Sequence, residues 1–219
     1  MATKILIAGL PNSGKTSLLK TLVDVLVFAR DNKNYPFAQP HSNVAEFSSV
    51  YELIDHINEK VETYKKKFGK LPKTIAIDSV STISSEIEKN CDIQYSGFDI
   101  WKNVCSQMNA LVDFINDIVD NGINVVLVTH AVWDETSKNY IEVCKGTFGK
   151  KGGFLSTVDY SIYVELNAGG KRFVTHKGKQ LARCLLADYP DKQPVDDFNL
   201  QKYLDDINST VHSVEEWSI

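Results

Sequence analysis

Residues 4–10, KILIAGL, form a short apolar run that breaks on a glycine, and PNSGKTS follows at once. Together they spell G-x-x-x-x-G-K-[ST] in full, from Gly9 to Thr16. Apolar residues then return at helical spacing, with leucines at 18, 19 and 22, so residues 15–24 read as an amphipathic helix. A strand, a glycine-bounded loop and a helix in that order constrain the fold strongly. The strand must be buried and parallel, and the loop must stand at its carboxyl end. The glycines free the backbone N–H groups to curl around phosphate oxygens, and the helix start adds partial positive charge. Lys15 reaches the β- and γ-oxygens and Thr16 offers a hydroxyl to Mg²⁺.

The rest of the chain repeats the alternation. Residues 25–30 (VLVFAR), 74–78 (TIAID) and 123–130 (INVVLVTH) read as further buried strands. Apolar positions 50, 53, 54, 57, 61 and 64, then 104, 108, 111, 112, 115, 118 and 119, mark two helices. Residues 31–43, with two prolines and three asparagines, read as loop, and so does the glycine- and lysine-rich stretch 144–153. Residues 159–166 and 171–176 read as strands joined through NAGG in a hairpin. The expected fold is one doubly wound α/β domain, its mostly parallel sheet covered by helices on both faces.

At 219 residues the chain suits one such domain, and its 43% hydrophobic and 24% charged content is that of a water-soluble protein. A net charge of −4 leaves nucleic-acid contact to local patches. Four cysteines without a CxxC pair argue against disulfides and zinc and fit a reducing cytosol. No apolar run spans a bilayer and no secretory signal opens the chain, so a cytoplasmic protein is expected, in the host cytoplasm if the source is viral.

Asp78 ends the strand TIAID, where a carboxylate can hold the hydration shell of Mg²⁺ or cap the next helix. A switch GTPase is disfavoured because Asp78 is followed by Ser-Val-Ser rather than completing DxxG, and no NKxD is present. A small-molecule kinase would carry an arginine-rich lid, whereas the three arginines, at 30, 172 and 183, are scattered.

IAIDSVSTI resembles the metal-binding strand of RecA-type ATPases, and VVLVTH the strand whose polar end senses the γ-phosphate. More closely, the series GLPNSGKTS, VLVFARD, TIAIDSVSTI, NVVLVTHA, GKKGGFLSTVDY and QPVDDFNL resembles small phage-encoded AAA-domain ATPases with a minimal RecA-like core. Some of these act in single-strand annealing and recombination. The resemblance implies a RecA-like core over residues 1–184 and an acidic helical tail over 185–219, packed on it. It implies that Gly9, Leu10, Pro11, Asn12, Ser13, Gly14, Lys15, Thr16 and Ser17 cradle ATP, that Thr16 and Asp78 hold Mg²⁺, and that Thr129 and His130 sense the γ-phosphate. His130 also reads as a buried hydrogen-bonded residue. The chain departs from many relatives in lacking a Glu beside Asp78. Asp31 then stands either as the residue orienting water or as a turn cap.

The family's DNA-facing loop corresponds to a stretch holding Lys138, Lys145, Lys150 and Lys151, with Tyr140 and Phe148 among them. Lysines with interleaved aromatics suit single-stranded DNA, and a flexible solubilising loop has the same composition. Lys177, Lys179 and Arg183 stand where related subunits offer basic fingers to a neighbour's phosphate. The resemblance also implies a homo-oligomer and a single-strand DNA-binding protein as partner, while the acidic tail, which would repel DNA, is expected to pack on the domain or meet a protein partner.

Overall fold

The structure is a computed structural model that describes residues 1–30, 35, 37–144 and 146–210. The strands are β1 (Lys4–Gly9), β2 (Val25–Ala29), β3 (His41–Asn43), β4 (Thr74–Asp78), β5 (Asn124–Asp134), β6 (Asn139–Glu142), β7 (Tyr160–Leu166), β8 (Arg172–Thr175) and β9 (Lys192–Pro194). The helices are α1 (Lys15–Leu18), α2 (Val50–Phe68), α3 (Val80–Gln94), α4 (Phe98–Asp120), α5 (Gly146–Lys150) and α6 (Leu200–Thr210).

Among the described residues these nine strands form one sheet in the order β3-β2-β4-β5-β1-β7-β8-β9, with β6 paired to the outer end of β5. From β3 to β7 every pairing is parallel, and β8 and β9 add an antiparallel edge. The central strands are apolar in sequence because both of their faces are covered. One face carries Leu6, Phe28, Ile75, Ile77, Val125 and Leu127 against α2, α3 and α4. The other carries Ile5, Ile7, Val27, Ala76, Val126 and Val128 against Leu18 and Leu19 of α1 and Leu200, Tyr203, Leu204 and Ile207 of α6. This is the doubly wound, mostly parallel α/β arrangement that the sequence led us to expect.

Several elements differ from the sequence reading, β3 among them, which lies in the stretch 31–43 read as loop. The helix expected over 15–24 is α-helical only over Lys15–Leu18, tightens to a 3₁₀ turn at Leu19–Thr21, and ends at Leu22, which is extended, before Asp24 turns left-handed at φ 53°. Its leucines 18, 19 and 22 are buried as expected. β2 begins at once, which leaves no room for further turns. The interval 79–97 holds α3, whose serines and threonine hid its apolar face of Val80, Ile83, Ile87 and Cys91. Ser79 caps that helix, its Oγ accepting from the Thr82 N–H at 3.4 Å. β5 runs four residues past His130 into a hairpin with β6. The stretch 144–153, expected as loop, holds α5 and the start of a 3₁₀ turn.

Residues beyond 184 take part in the same body. β9 supplies the outermost strand, and the Leu200 N–H at the start of α6 donates to Thr21 Oγ1 at 2.9 Å.

Candidate functional site

β1 delivers Gly9 to the carboxyl edge of the sheet. The chain then turns through Leu10, Pro11 and Asn12, all exposed, before Ser13 and Lys15 return inside. The Ser13 N–H donates to Leu10 O at 3.2 Å and the Ser17 N–H to Gly14 O at 3.1 Å, closing two tight turns. Asn12 and Gly14 are left-handed at φ 62° and 99°. Turns of this kind aim successive N–H groups into one concavity, which binds anions. With α1 only four residues long, these N–H groups rather than a long helix dipole dominate the local positive field. Gly9 is required by close approach: a Cβ there would lie 2.3 Å from Val164 O on β7.

The loop fits a nucleotide polyphosphate. Ser13 Oγ is fully buried and has no hydrogen-bond partner among the described residues, so it is a polar group that an oxyanion would satisfy. Lys15 is also buried, and its Nζ donates to Gly9 O and Leu10 O, both at 2.8 Å. The ammonium is thereby held at the mouth of the loop.

The site fits a magnesium ion as well. In β4, Asp78 shares the face of Ala76, the α1 side of the sheet, and Thr16 opens α1 beneath it. The Thr16 hydroxyl donates to Asp78 Oδ2 at 2.7 Å, so the two groups expected to share the metal already touch. The Tyr35 hydroxyl, absent from the sequence reading, donates to the same oxygen at 3.3 Å. Oxygen donors of this kind suit a hard cation.

His130 stands beside Gly9 in the sheet register, on the same face as Val126 and Val128. Its backbone N–H donates to Ser81 Oγ at 3.2 Å, tying β5 to the first turn of α3. Thr129 is a correction to the expected phosphate contacts. Strand alternation turns it to the other face, where its hydroxyl donates to Glu142 Oε1 at 3.4 Å. Glu142, which the sequence reading gave no role, also accepts from the Leu155 N–H at 3.0 Å. Burial pushes its carboxyl up to about 7 against these hydrogen bonds.

Phe148 is a second correction. It is 7% exposed, packed in the core with its ring 5.2 Å from that of Phe154, and so it is not available for base stacking. α5 turns it inward because the helix lies against α4, while Lys150 and Lys151 remain exposed. Lys138 sits in the β5–β6 turn, paired with Glu135 at 2.7 Å. In this hairpin Trp133 is exposed and Tyr140 half-buried, with ring centres 5.2 Å apart. Asp31, Lys145 and the C-terminal Trp217 lie outside the described residues.

The three expected fingers have partners within the chain. Lys177 Nζ donates to Tyr189 O at 3.0 Å, Lys179 pairs with Glu165 at 3.7 Å, and Arg183 Nη1 donates to Val158 O at 3.0 Å. Among the described residues no helix is long and apolar enough to cross a membrane.

No curated protein sequence matches this chain. Among solved structures, a KaiC-like protein from the hyperthermophilic archaeon Pyrococcus horikoshii OT3 aligns with a TM-score of 0.49 and 14% identity. The alignment covers 88% of this chain and 84% of that one. A family described as AAA domain matches residues 1–182, a span that holds the phosphate loop, the Asp78 strand and the His130 strand. The chain belongs to the AAA domain family.

Proposed function

We propose that the protein is a Mg²⁺-dependent ATPase that assembles on single-stranded DNA and serves recombination, annealing or replication in a phage setting. The observation that carries the ATPase part is the contact of Thr16 with Asp78 directly beside the Lys15 loop. Thr16 and Asp78 would hold the ion, which when bound neutralises charge on the β- and γ-phosphate oxygens. The loop N–H groups orient the polyphosphate, and Lys15 exchanges its two carbonyl partners for phosphate oxygens as negative charge develops there. His130, beside Gly9 and tied to α3, is the group that would relay phosphate state toward the hairpin at the end of β5.

The DNA part is supported by exposed Lys138, Lys150 and Lys151, and by Trp133 and Tyr140, on segments that follow His130 in the chain. Cations together with exposed aromatics are the means by which single strands are held without regard to sequence.

A second reading, a nucleotide-gated module that recruits a protein partner with little turnover, is favoured by one observation. Ser79, directly after Asp78, is a buried helix cap and not an acid able to activate water.

The test is steady-state ATP turnover with and without single-stranded DNA, with Lys15→Ala as the blank. Stimulation by DNA, abolished in Lys15→Ala, is the expected result. Tight ATP binding without turnover in either condition would establish the module in its place.

A further inference from the structure

Arg172 is an arginine to which the reading of the sequence gave no role. It opens β8, opposite Leu166 of β7, at the end of the sheet where β1 gives way to the phosphate loop. Val174, two residues on and so on the same face, is buried with Leu18 and Leu19 of α1. Arg172 is therefore on the side of the sheet that carries the loop.

Its side chain lies across Gly14. A Cβ built on Gly14 would stand 3.0 Å from Arg172 Cδ, 3.4 Å from Nε and 3.7 Å from Cζ. Gly14 is demanded by its φ of 99°, and the arginine stem occupies the space beside it. Arg172 is exposed, and among the described residues no carboxylate pairs with it. The acid on the neighbouring strand, Glu165, is engaged by Lys179 and Lys192. A guanidinium without a counter-ion, laid over an anion-binding loop, has the geometry of a phosphate clamp supplied in cis. Its planar donors match phosphate oxygens in pairs, which an ammonium cannot do.

We propose that Arg172 is a nucleotide-binding residue of this site, donating to the α/β-phosphate oxygens cradled by the backbone at Gly14. The choice of the α/β part follows from position, since the loop backbone holds those phosphates while Lys15 reaches further out. The proposal rests on the nucleotide reading of the loop made above.

The test measures ATP and ADP affinities by calorimetry on the full chain, with thermal melts without nucleotide as the control for folding. Arg172→Met keeps an unbranched stem over Gly14 and removes the charge, and Arg172→Lys keeps the charge without the fork. Lys15→Ala reports on the loop itself. Arg172→Met should weaken ATP and ADP by the same factor, about tenfold or more, as for a lost charged hydrogen bond. Arg172→Lys should fall between it and wild type, and the melts should stay at the wild-type value. Unchanged affinities in Arg172→Met would overturn the proposal. A loss confined to ATP would overturn the α/β assignment, and lowered melts in both variants would make the residue structural. If wild type itself binds neither nucleotide, the loop reading fails and takes the proposal with it. If only Arg172→Met behaves like wild type, the loop reading survives alone.

Discussion

Glu142 shows how much a single residue's setting decides. In sequence it is an acid among lysines. In the fold it ends β6 and is largely withdrawn from water, with Thr129 Oγ1 and the Phe154 and Leu155 N–H groups directed at it. An unfolded glutamate titrates near its ordinary value, whereas this one titrates near 7, so between those pH values the folded state holds more protons than the unfolded one. Stability therefore falls as pH rises through that window. Glu142→Gln keeps the shape and removes the titration. We expect it to be more stable than wild type above pH 7 by roughly 1–3 kcal/mol, with the difference shrinking toward pH 5. Urea denaturation at several pH values would show this, and a difference independent of pH would refute it. By contrast, the loop built by Gly9, Gly14, Lys15 and Thr16 was legible because its turns follow from local chemistry within eight residues of chain. Thr129 was misplaced because a strand's two faces cannot be assigned without knowing what covers each one.

Among the elements, the apolar strands and the two long helices were readable from periodicity alone. α3 was missed because Ser81, Ser84 and Ser85 interrupt its apolar stripe, although Ser81 and Ser84 are buried. The stretch 144–153 was misread for the opposite reason. Its glycines suggested a loop, and the contact of α5 with α4 makes it a short helix with Phe148 turned inward. This difference can be tested directly. Phe148→Ala should cost about 3–5 kcal/mol of stability by emptying a core site. A paired change of Lys150 and Lys151 to Ala should leave the denaturation midpoint nearly unchanged, as surface changes do, and weaken single-stranded DNA binding at low salt. DNA affinity lost in Phe148→Ala at full stability would return the ring to the interface.

On the scale of the whole molecule, the C-terminal third closes the sheet. β9 pairs with β8, and α6 seals the α1 face with Tyr203 at the centre of an aromatic group. Its ring lies 4.9 Å from Tyr189, 5.4 Å from His176 and 5.6 Å from Phe198. Tyr203 is fully buried. Tyr203→Ala should therefore lower stability by about 3–5 kcal/mol. Because α6 also meets Thr21 just past α1, nucleotide affinity should fall with it. A calorimetric melt and an ATP titration on the same variant would check both, and an unaltered melting temperature would show that α6 is an appendage.

The sequence by itself determined that a loop of phosphate-binding pattern stands at the end of the first strand, and that the central strands are buried and parallel. Those facts rest on short-range rules: glycine conformations, a lysine and a hydroxyl at fixed spacing, and unbroken apolar runs. Only the tertiary structure decided which side chains meet across the sheet. Thr16 reaches Asp78 over 62 positions, and Arg172 lies across Gly14. It also turns Phe148 into the core and draws Glu142 out of water. Strand order and helix packing place these groups, and those depend on how the two faces of one sheet are filled, which no local stretch of the chain records.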